Sequence, residues 1–198
     1  MNKVLLTIDY LSASVGKAFA WCIMVLTLAI SYEVFMRKIL SAPTQWAYDV
    51  SYVFYGALFL MSGAYALSRN GHVRGDTVYR TWQPRTQAGM DLVLYFIFFF
   101  PGILALIYSG FNFAAMSFRF KEVSIFSPAG VPVYPLKGLI PIAGTLLLIQ
   151  GVAEVIRCVI CLRTGDWPQR LRDVEELESA VKHEKEYLAQ QAAGGKKA

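Results

Sequence analysis

The stretch VSYVFYGALFLMSGAYALS, residues 50–68, contains no charged side chain. A helix rises about 1.5 Å per residue, so this stretch reaches about 28 Å, close to the thickness of the hydrocarbon core of a bilayer. Its apolar residues form a continuous block and do not recur at the period of a half-exposed strand or helix. The stretch therefore predicts a transmembrane helix.

Three more apolar blocks accompany this one, and the predicted spans cover about residues 15–36, 46–67, 92–118 and 136–162. The chain is 56% hydrophobic and 17% charged, whereas an average soluble domain has roughly 25% charged residues. Asp9 and the late, long first block disfavour a cleaved signal peptide. We predict an all-α integral membrane protein whose residues 1–168 form one domain of four transmembrane helices.

Two prolines fall within the predicted spans. Pro101 lies inside the third span, where we expect a kink whose freed carbonyl is satisfied by neighbouring helices. Pro141 is expected in the opening turn of the fourth span, where a missing N–H is tolerated.

The polar remainder, residues 169–198, differs in composition from the membrane domain. Apolar residues recur there at helical spacing with glutamates between them. They are Leu171, Val174, Leu177, Val181 and Leu188. This pattern predicts a short cytoplasmic amphipathic helix followed by a flexible tail.

The distribution of positive charge predicts the orientation. With four spans, one side of the membrane receives 14 of the 19 Lys and Arg residues and the other side receives five. Positive residues accumulate in cytoplasmic segments, so both termini and the loop 69–91 should be cytoplasmic. The net charge of +5 is then explained by topology and lipid headgroups, and it does not indicate nucleic-acid binding.

Charged residues near the span ends are the first candidates for function, because a charge at the bilayer centre costs about 2.5 to 3.5 kcal/mol. Glu33 and Arg37 lie four positions apart on one helical face and should pair. Asp49 follows Trp46 by one turn and should stabilise the start of the second span. Since the centre of every predicted span lacks charge, we favour assembly roles over ion translocation.

Cys158 and Cys161 have the C-x-x-C spacing of a redox pair. Their predicted cytoplasmic position is the wrong side for disulfide exchange with periplasmic proteins, so packing is the favoured interpretation. His72 lacks a second ligand at a useful spacing for a metal. No catalytic motif is present, and we expect neither an enzyme nor a cofactor.

Small residues predict close helix contacts, including pairs at Ala105/Ser109 and Gly110/Ala114. The loop 120–137 carries Pro128, Pro132 and Pro135 and is too stiff and apolar for a simple tether. We expect this loop either to lie in the membrane interface or to dock against a partner protein.

The order of several motifs resembles the small membrane subunit of tripartite ATP-independent periplasmic (TRAP) transporters, the DctQ-like family. The resemblance rests on an acidic residue with Arg37 at the end of span one, Trp46 with Asp49, Gly56 with Gly63-Ala64, and Gly71-His72-Val73 through Asp76. The family commonly has Glu at the position of Asp49. The stretches 127–137, 147–151 and 165–168 resemble a branch associated with 2-oxo acids, mannitol or haloaromatic acids.

The resemblance implies a complex in the bacterial inner membrane. A periplasmic binding protein would capture the substrate, a large DctM-like subunit would move it with sodium, and this subunit would scaffold the large one. Sodium is expected in the large subunit and no cofactor in this one. Candidate assembly residues are Glu33, Arg37, Trp46, Asp49, Gly56, Gly63, His72, Arg74, Asp76, Gln150, Glu154 and Arg157. The alternatives are an autonomous carrier or channel and a membrane thiol oxidoreductase.

Overall fold

The structure, a computed structural model, describes residues 2–69, 79, 81–126 and 128–168. Its named elements are all helical. They are α1 (Asn2–Ala20), α2 (Cys22–Lys38), α3 (Ala47–Ser68), α4 (Pro84–Leu94), a π-helix (Tyr95–Phe99), α5 (Phe100–Phe120) and α6 (Tyr134–Thr164). The predicted all-α fold is confirmed, whereas the predicted helix within residues 169–198 lies outside the described residues.

Four helical segments are long and apolar enough to cross a membrane, as predicted: Lys3–Lys38, Ala47–Ser68, Pro84–Phe120 and Tyr134–Thr164. The first contains 36 residues, which correspond to about 54 Å of helix and exceed the thickness of a hydrocarbon core. It starts well before the predicted span at residue 15. Hydropathy does not detect this extension, because packing of α1 on other helices stabilises it.

The placement of Pro141 in an opening turn is wrong. Helix α6 begins at Tyr134, so Pro135 occupies the first turn and Pro141 lies inside the helix. The Pro141 carbonyl accepts a bond from Thr145 Oγ1 at 2.7 Å. Hydropathy placed the helix start too late because it does not report tertiary packing, and Leu136 in the first turn of α6 is buried against Gly56 of α3.

The third span contains a π-helix that ends two residues before Pro101. The N–H of Phe100 bonds the carbonyl of Tyr95, five residues back. A proline cannot donate to the carbonyl four residues earlier, and a wider π-helical turn changes which carbonyls need donors. The irregularity expected at Pro101 therefore takes the form of a π-helix within Tyr95–Phe99.

The helices follow one another in a row. Helices α1 and α2 pack on α3, α3 packs on α6, and α6 packs on α4 and α5. Helix α1 also reaches α6. Within the most apolar window of each segment, 39% of residues are buried in the fourth but only 6% in the first. Helix α6 is thus central, and much of the apolar surface at both edges of the row is uncovered.

Glycines allow the closest helix contacts. A Cβ at Gly151 of α6 would lie 2.2 Å from Phe99 Cε1, and one at Gly110 of α5 would lie 2.8 Å from Ile140 Cγ2. Of the predicted small-residue pairs, Gly110 and Ala114 are buried, whereas Ala105 and Ser109 are exposed. The exposed pair lies on the surface of the subunit.

Residues 121–126 and 128–133 form the two arms of a hairpin between α5 and α6. The Ser124 N–H bonds the Val131 carbonyl at 2.8 Å, and the Val133 N–H bonds the Glu122 carbonyl at 3.1 Å. Lys121 has a left-handed backbone (φ 47°) where the hairpin leaves α5. We call the end of the row that carries this hairpin the hairpin end. The opposite end, where α1 begins, is the N-terminal end.

Candidate functional site

A fully buried polar cluster joins the first and last described helices at the N-terminal end. The Arg157 guanidinium donates to Asp9 Oδ2 and, at 2.5 Å, to Glu154 Oε1. The Gln150 amide donates to Asp9 Oδ1 at 2.8 Å, and Ser12 Oγ donates to Gln150 Oε1 at 2.9 Å. All five residues are at most 2% exposed. We call this set the α1–α6 cluster.

Local spacing explains why each helix contributes its part of the cluster. Gln150, Glu154 and Arg157 are separated by four and three positions, so they share one face of α6. Asp9 and Ser12 are three positions apart and share one face of α1. Removing one partner of a buried ion pair typically costs about 3 to 5 kcal/mol. The cluster therefore fixes α1 against α6.

Three of the predicted assembly residues, Gln150, Glu154 and Arg157, thus meet in one site. Within the subunit they contact one another, Asp9 and Ser12, and their role in assembly with a partner remains a prediction. Sequence reasoning missed Asp9 as a site residue. Its helical neighbours Leu5 and Ser12 are buried with it, and this face of α1 is the signal that could have identified Asp9.

A second polar cluster lies at the hairpin end. Arg37 Nε and Nη2 donate to Glu33 Oε1 at 2.9 and 2.6 Å, which confirms the predicted pair. The other oxygen of Glu33 accepts bonds from the Thr44 hydroxyl and, at 3.0 Å, from the Thr44 N–H. Glu33 thereby connects the end of α2 to the loop 39–46. The assembly role of the pair remains a prediction.

Asp49 joins α3 to the hairpin. It lies in the first turn of α3, as predicted, and is 2% exposed. Ser124 Oγ donates to Asp49 Oδ1 at 2.6 Å. The same hydroxyl accepts the Phe126 N–H at 3.2 Å. Besides its favourable position near the start of a helix, the carboxylate therefore has a tertiary role that the sequence did not indicate.

Glu122 holds the two ends of the hairpin together. It pairs with Lys137 of α6 at 2.5 Å and accepts a bond from Ser117 Oγ of α5 at 2.8 Å. The hydrogen bond from Lys137, followed by that from Ser117, lowers the pKa of the Glu122 carboxyl below its ordinary value. The Lys137 ammonium also lies 4.0 Å from the centroid of the Phe113 ring.

The remaining predicted residues in the described part of the chain have packing contacts. Trp46 stacks on Tyr32 with ring centroids 5.9 Å apart. A Cβ at Gly56 would lie 2.9 Å from a methyl of Leu136, and one at Gly63 would lie 3.5 Å from Leu147. His72, Arg74 and Asp76 lie outside the described residues.

Cys158 and Cys161 are buried, in a core cluster with Leu67, Ala88 and Tyr95. The Cys161 thiol donates to the Pro84 carbonyl at 3.5 Å. Both thiols face packed side chains of the row, which agrees with the packing interpretation.

The geometry combines internal ties with an uncovered apolar surface. At each end of the row, the polar groups bond to other polar groups at that same end. Large apolar side chains point outward along the spans. Examples on α2 and α5 are Leu28 at 67%, Tyr108 at 74% and Phe111 at 66% exposure. Such a surface suits contact with lipid or with other transmembrane helices.

Comparison with known proteins gives the family. A comparison with curated proteins finds no match. The family described as "Tripartite ATP-independent periplasmic transporters, DctQ component" matches residues 26–161. This match includes α3, α4, the π-helix, α5 and the hairpin, together with most of α2 and α6. The chain therefore belongs to the DctQ family, and it is a multi-pass membrane protein and a small-subunit component of a TRAP transporter.

Proposed function

We propose that this subunit is a scaffold that holds the large DctM-like membrane subunit in the bilayer. The observation that carries the proposal is the open row of helices. Only 6% of the residues in the apolar window of the first segment, and 11% in that of the third, are buried within the chain. A large second membrane protein could cover these edges.

Rigidity within the row supports a scaffold. The α1–α6 cluster ties one edge helix to the central helix, while Asp49 and Glu122 tie the hairpin to α3, α5 and α6. A brace must keep its shape while its partner moves. Polar ties at both ends of the row would provide that stiffness without placing charge where the partner's apolar helices would pack.

The hairpin end is the proposed contact for the periplasmic binding protein. Ile125 and Phe126 of the hairpin are 88% and 67% exposed, and Tyr48 packs edge-on against Phe126 with centroids 6.0 Å apart. This proposal requires both termini to be cytoplasmic and the chain to lie in the bacterial inner membrane, as the charge distribution predicts. Sodium would be bound by the large subunit, and the substrate would be an organic acid such as a 2-oxo acid.

Co-purification tests the scaffold role. The chain, tagged and extracted in mild detergent, should retain the large subunit. Tryptophan placed singly at exposed positions of α2 and α5, such as Leu28 and Tyr108, should identify one continuous face where retention falls. Positions facing lipid serve as internal controls, because a larger apolar side chain is tolerated there. Failure to retain any large membrane partner would contradict the proposal.

A further inference from the structure

An apolar groove opens between α2 and α3 at the hairpin end. Its volume is about 410 Å³, and Ile30, Val34, Ala47 and Tyr48 contribute most of its apolar wall. Arg37 and Lys38, in the last turn of α2, also line it. The groove therefore combines an apolar wall along the membrane-spanning part of α2 with two cations where that helix ends.

Both cations have free hydrogen-bonding capacity. Arg37 uses Nε and Nη2 on Glu33, which leaves Nη1 without a partner in the described part of the chain, and its side chain is 60% exposed. The exposed Lys38 ammonium has no hydrogen bond or ion pair to any described residue. With Glu33 counted, the three charged residues of the groove carry a net charge of +1, which complements one negative charge.

The size of the groove decides what kind of occupant fits. A transmembrane helix is about 10 Å wide, so about one turn of it would fill a volume of this size. A lipid acyl chain is much thinner and could lie along Ile30 and Val34. Lys and Arg at the end of a span lie at headgroup level and attract anionic lipids.

We propose that the groove between α2 and α3 binds one phospholipid with an anionic headgroup. One acyl chain lies along the apolar wall formed by Ile30, Val34 and Tyr48. The phosphate accepts hydrogen bonds from Arg37 Nη1 and Lys38 Nζ. The site shares Arg37 with the second polar cluster, because Arg37 gives Nη1 to the lipid while its Nε and Nη2 keep their bonds to Glu33.

Native mass spectrometry of the full-length chain, released from detergent micelles, can test this site. Phosphatidylglycerol and phosphatidylcholine with identical acyl chains are titrated in turn. One phosphatidylglycerol should bind in preference to phosphatidylcholine. Lys38→Gln should weaken its binding about fivefold, because one Lys or Arg near a membrane surface contributes about that factor. Val34→Trp, which fills the groove, should abolish the preference.

Two matched controls accompany these variants. Arg119→Gln removes an exposed cation from the end of α5, outside the groove. Val25→Trp places the same ring on α2 but about half a turn around the helix from Val34. Both controls should bind phosphatidylglycerol as the unaltered chain does, and all four variants should elute as single species with unchanged helical content.

Three results would overturn the proposal. Equal binding of the two lipids would remove the preference for an anionic headgroup, and equal losses in the control variants would remove the role of the groove. The third is displacement of the bound lipid when the intact transporter assembles, which would assign the groove to a protein partner. Retention of phosphatidylglycerol in the assembled transporter is the expected result.

Discussion

Asp9 and Arg157 are separated by 148 positions in the chain and form an ion pair in which both side chains are completely buried. Glu154 lies on the other side of the same guanidinium. The pair connects the start of the first transmembrane segment to the C-terminal part of the last. It ties the edge helix α1 to the central helix α6, in addition to the packing of α1 on α3.

Loss of the Asp9 carboxylate should destabilise the protein strongly. Asp9→Ala leaves Arg157 with one carboxylate instead of two and the Gln150 amide without its acceptor, so we expect a loss of about 3 to 5 kcal/mol. Reversible unfolding in mixed micelles, followed by circular dichroism, measures it. Lys17→Ala, at an exposed position of the same helix, is the control and should change stability little. Equal stability of the two variants would contradict a structural role for the cluster.

The contact of Gly151 with Phe99 predicts a steric effect. A Cβ at Gly151 would lie 2.2 Å from the Phe99 ring, so Gly151→Ala should cost about 1 to 3 kcal/mol through overpacking. Gly102 has no heavy atom within 4 Å of an added Cβ, and Gly102→Ala is the matched control. Thermal unfolding in detergent compares them. Phe99→Leu should restore stability to the Gly151→Ala variant. If stability is not restored, the clash does not involve Phe99.

Glu122 predicts a pH dependence of the hairpin. Because the folded protein lowers the pKa of Glu122 below its ordinary value of 4.5, its contribution to stability is complete above pH 4.5. That contribution is lost as pH falls through the lower folded pKa. Hydrogen exchange at the Ser124 and Val133 amides, corrected for intrinsic pH effects, should show protection declining in this acidic range. In Glu122→Gln the protection should be weak at every pH, and an unchanged profile would exclude the Lys137 pair as its cause.

The cysteines give a test against the thiol-enzyme alternative. Cys158 and Cys161 are buried, whereas Cys22 is partly exposed. A membrane-permeant maleimide should therefore modify Cys22 first in the folded protein, as mass spectrometry of the peptides would report. The variant Cys158→Ala/Cys161→Ala should keep substrate uptake by the complete transporter. Loss of uptake with normal assembly would favour thiol chemistry.

Local physical rules predicted the four spans and two local features of the helices correctly. The four spans follow from the length of charge-free stretches such as residues 50–68. The Glu33–Arg37 pair follows from spacing within one helix, where neighbours four positions apart must meet. Asp49 was correctly placed near a helix start because the second apolar block begins beside it.

Nonlocal contacts could not be predicted in this way. No spacing rule relates Asp9 to Arg157, Asp49 to Ser124 or Gly151 to Phe99, because the relative rotation and depth of separate helices determine them. Packing also shifts helix ends, which is why Pro141 lies inside α6 and not in its first turn. A single sequence predicts the helices but not how they are rotated and shifted relative to one another.

Reconstituted uptake is the most direct test of the scaffold function. Liposomes should receive the large subunit with this chain, the large subunit alone, or this chain alone, each with the binding protein and a sodium gradient. We predict substrate uptake only when both membrane subunits are present, with the large subunit losing stability when alone. Uptake by this chain alone, or full uptake by the large subunit without it, would contradict the account.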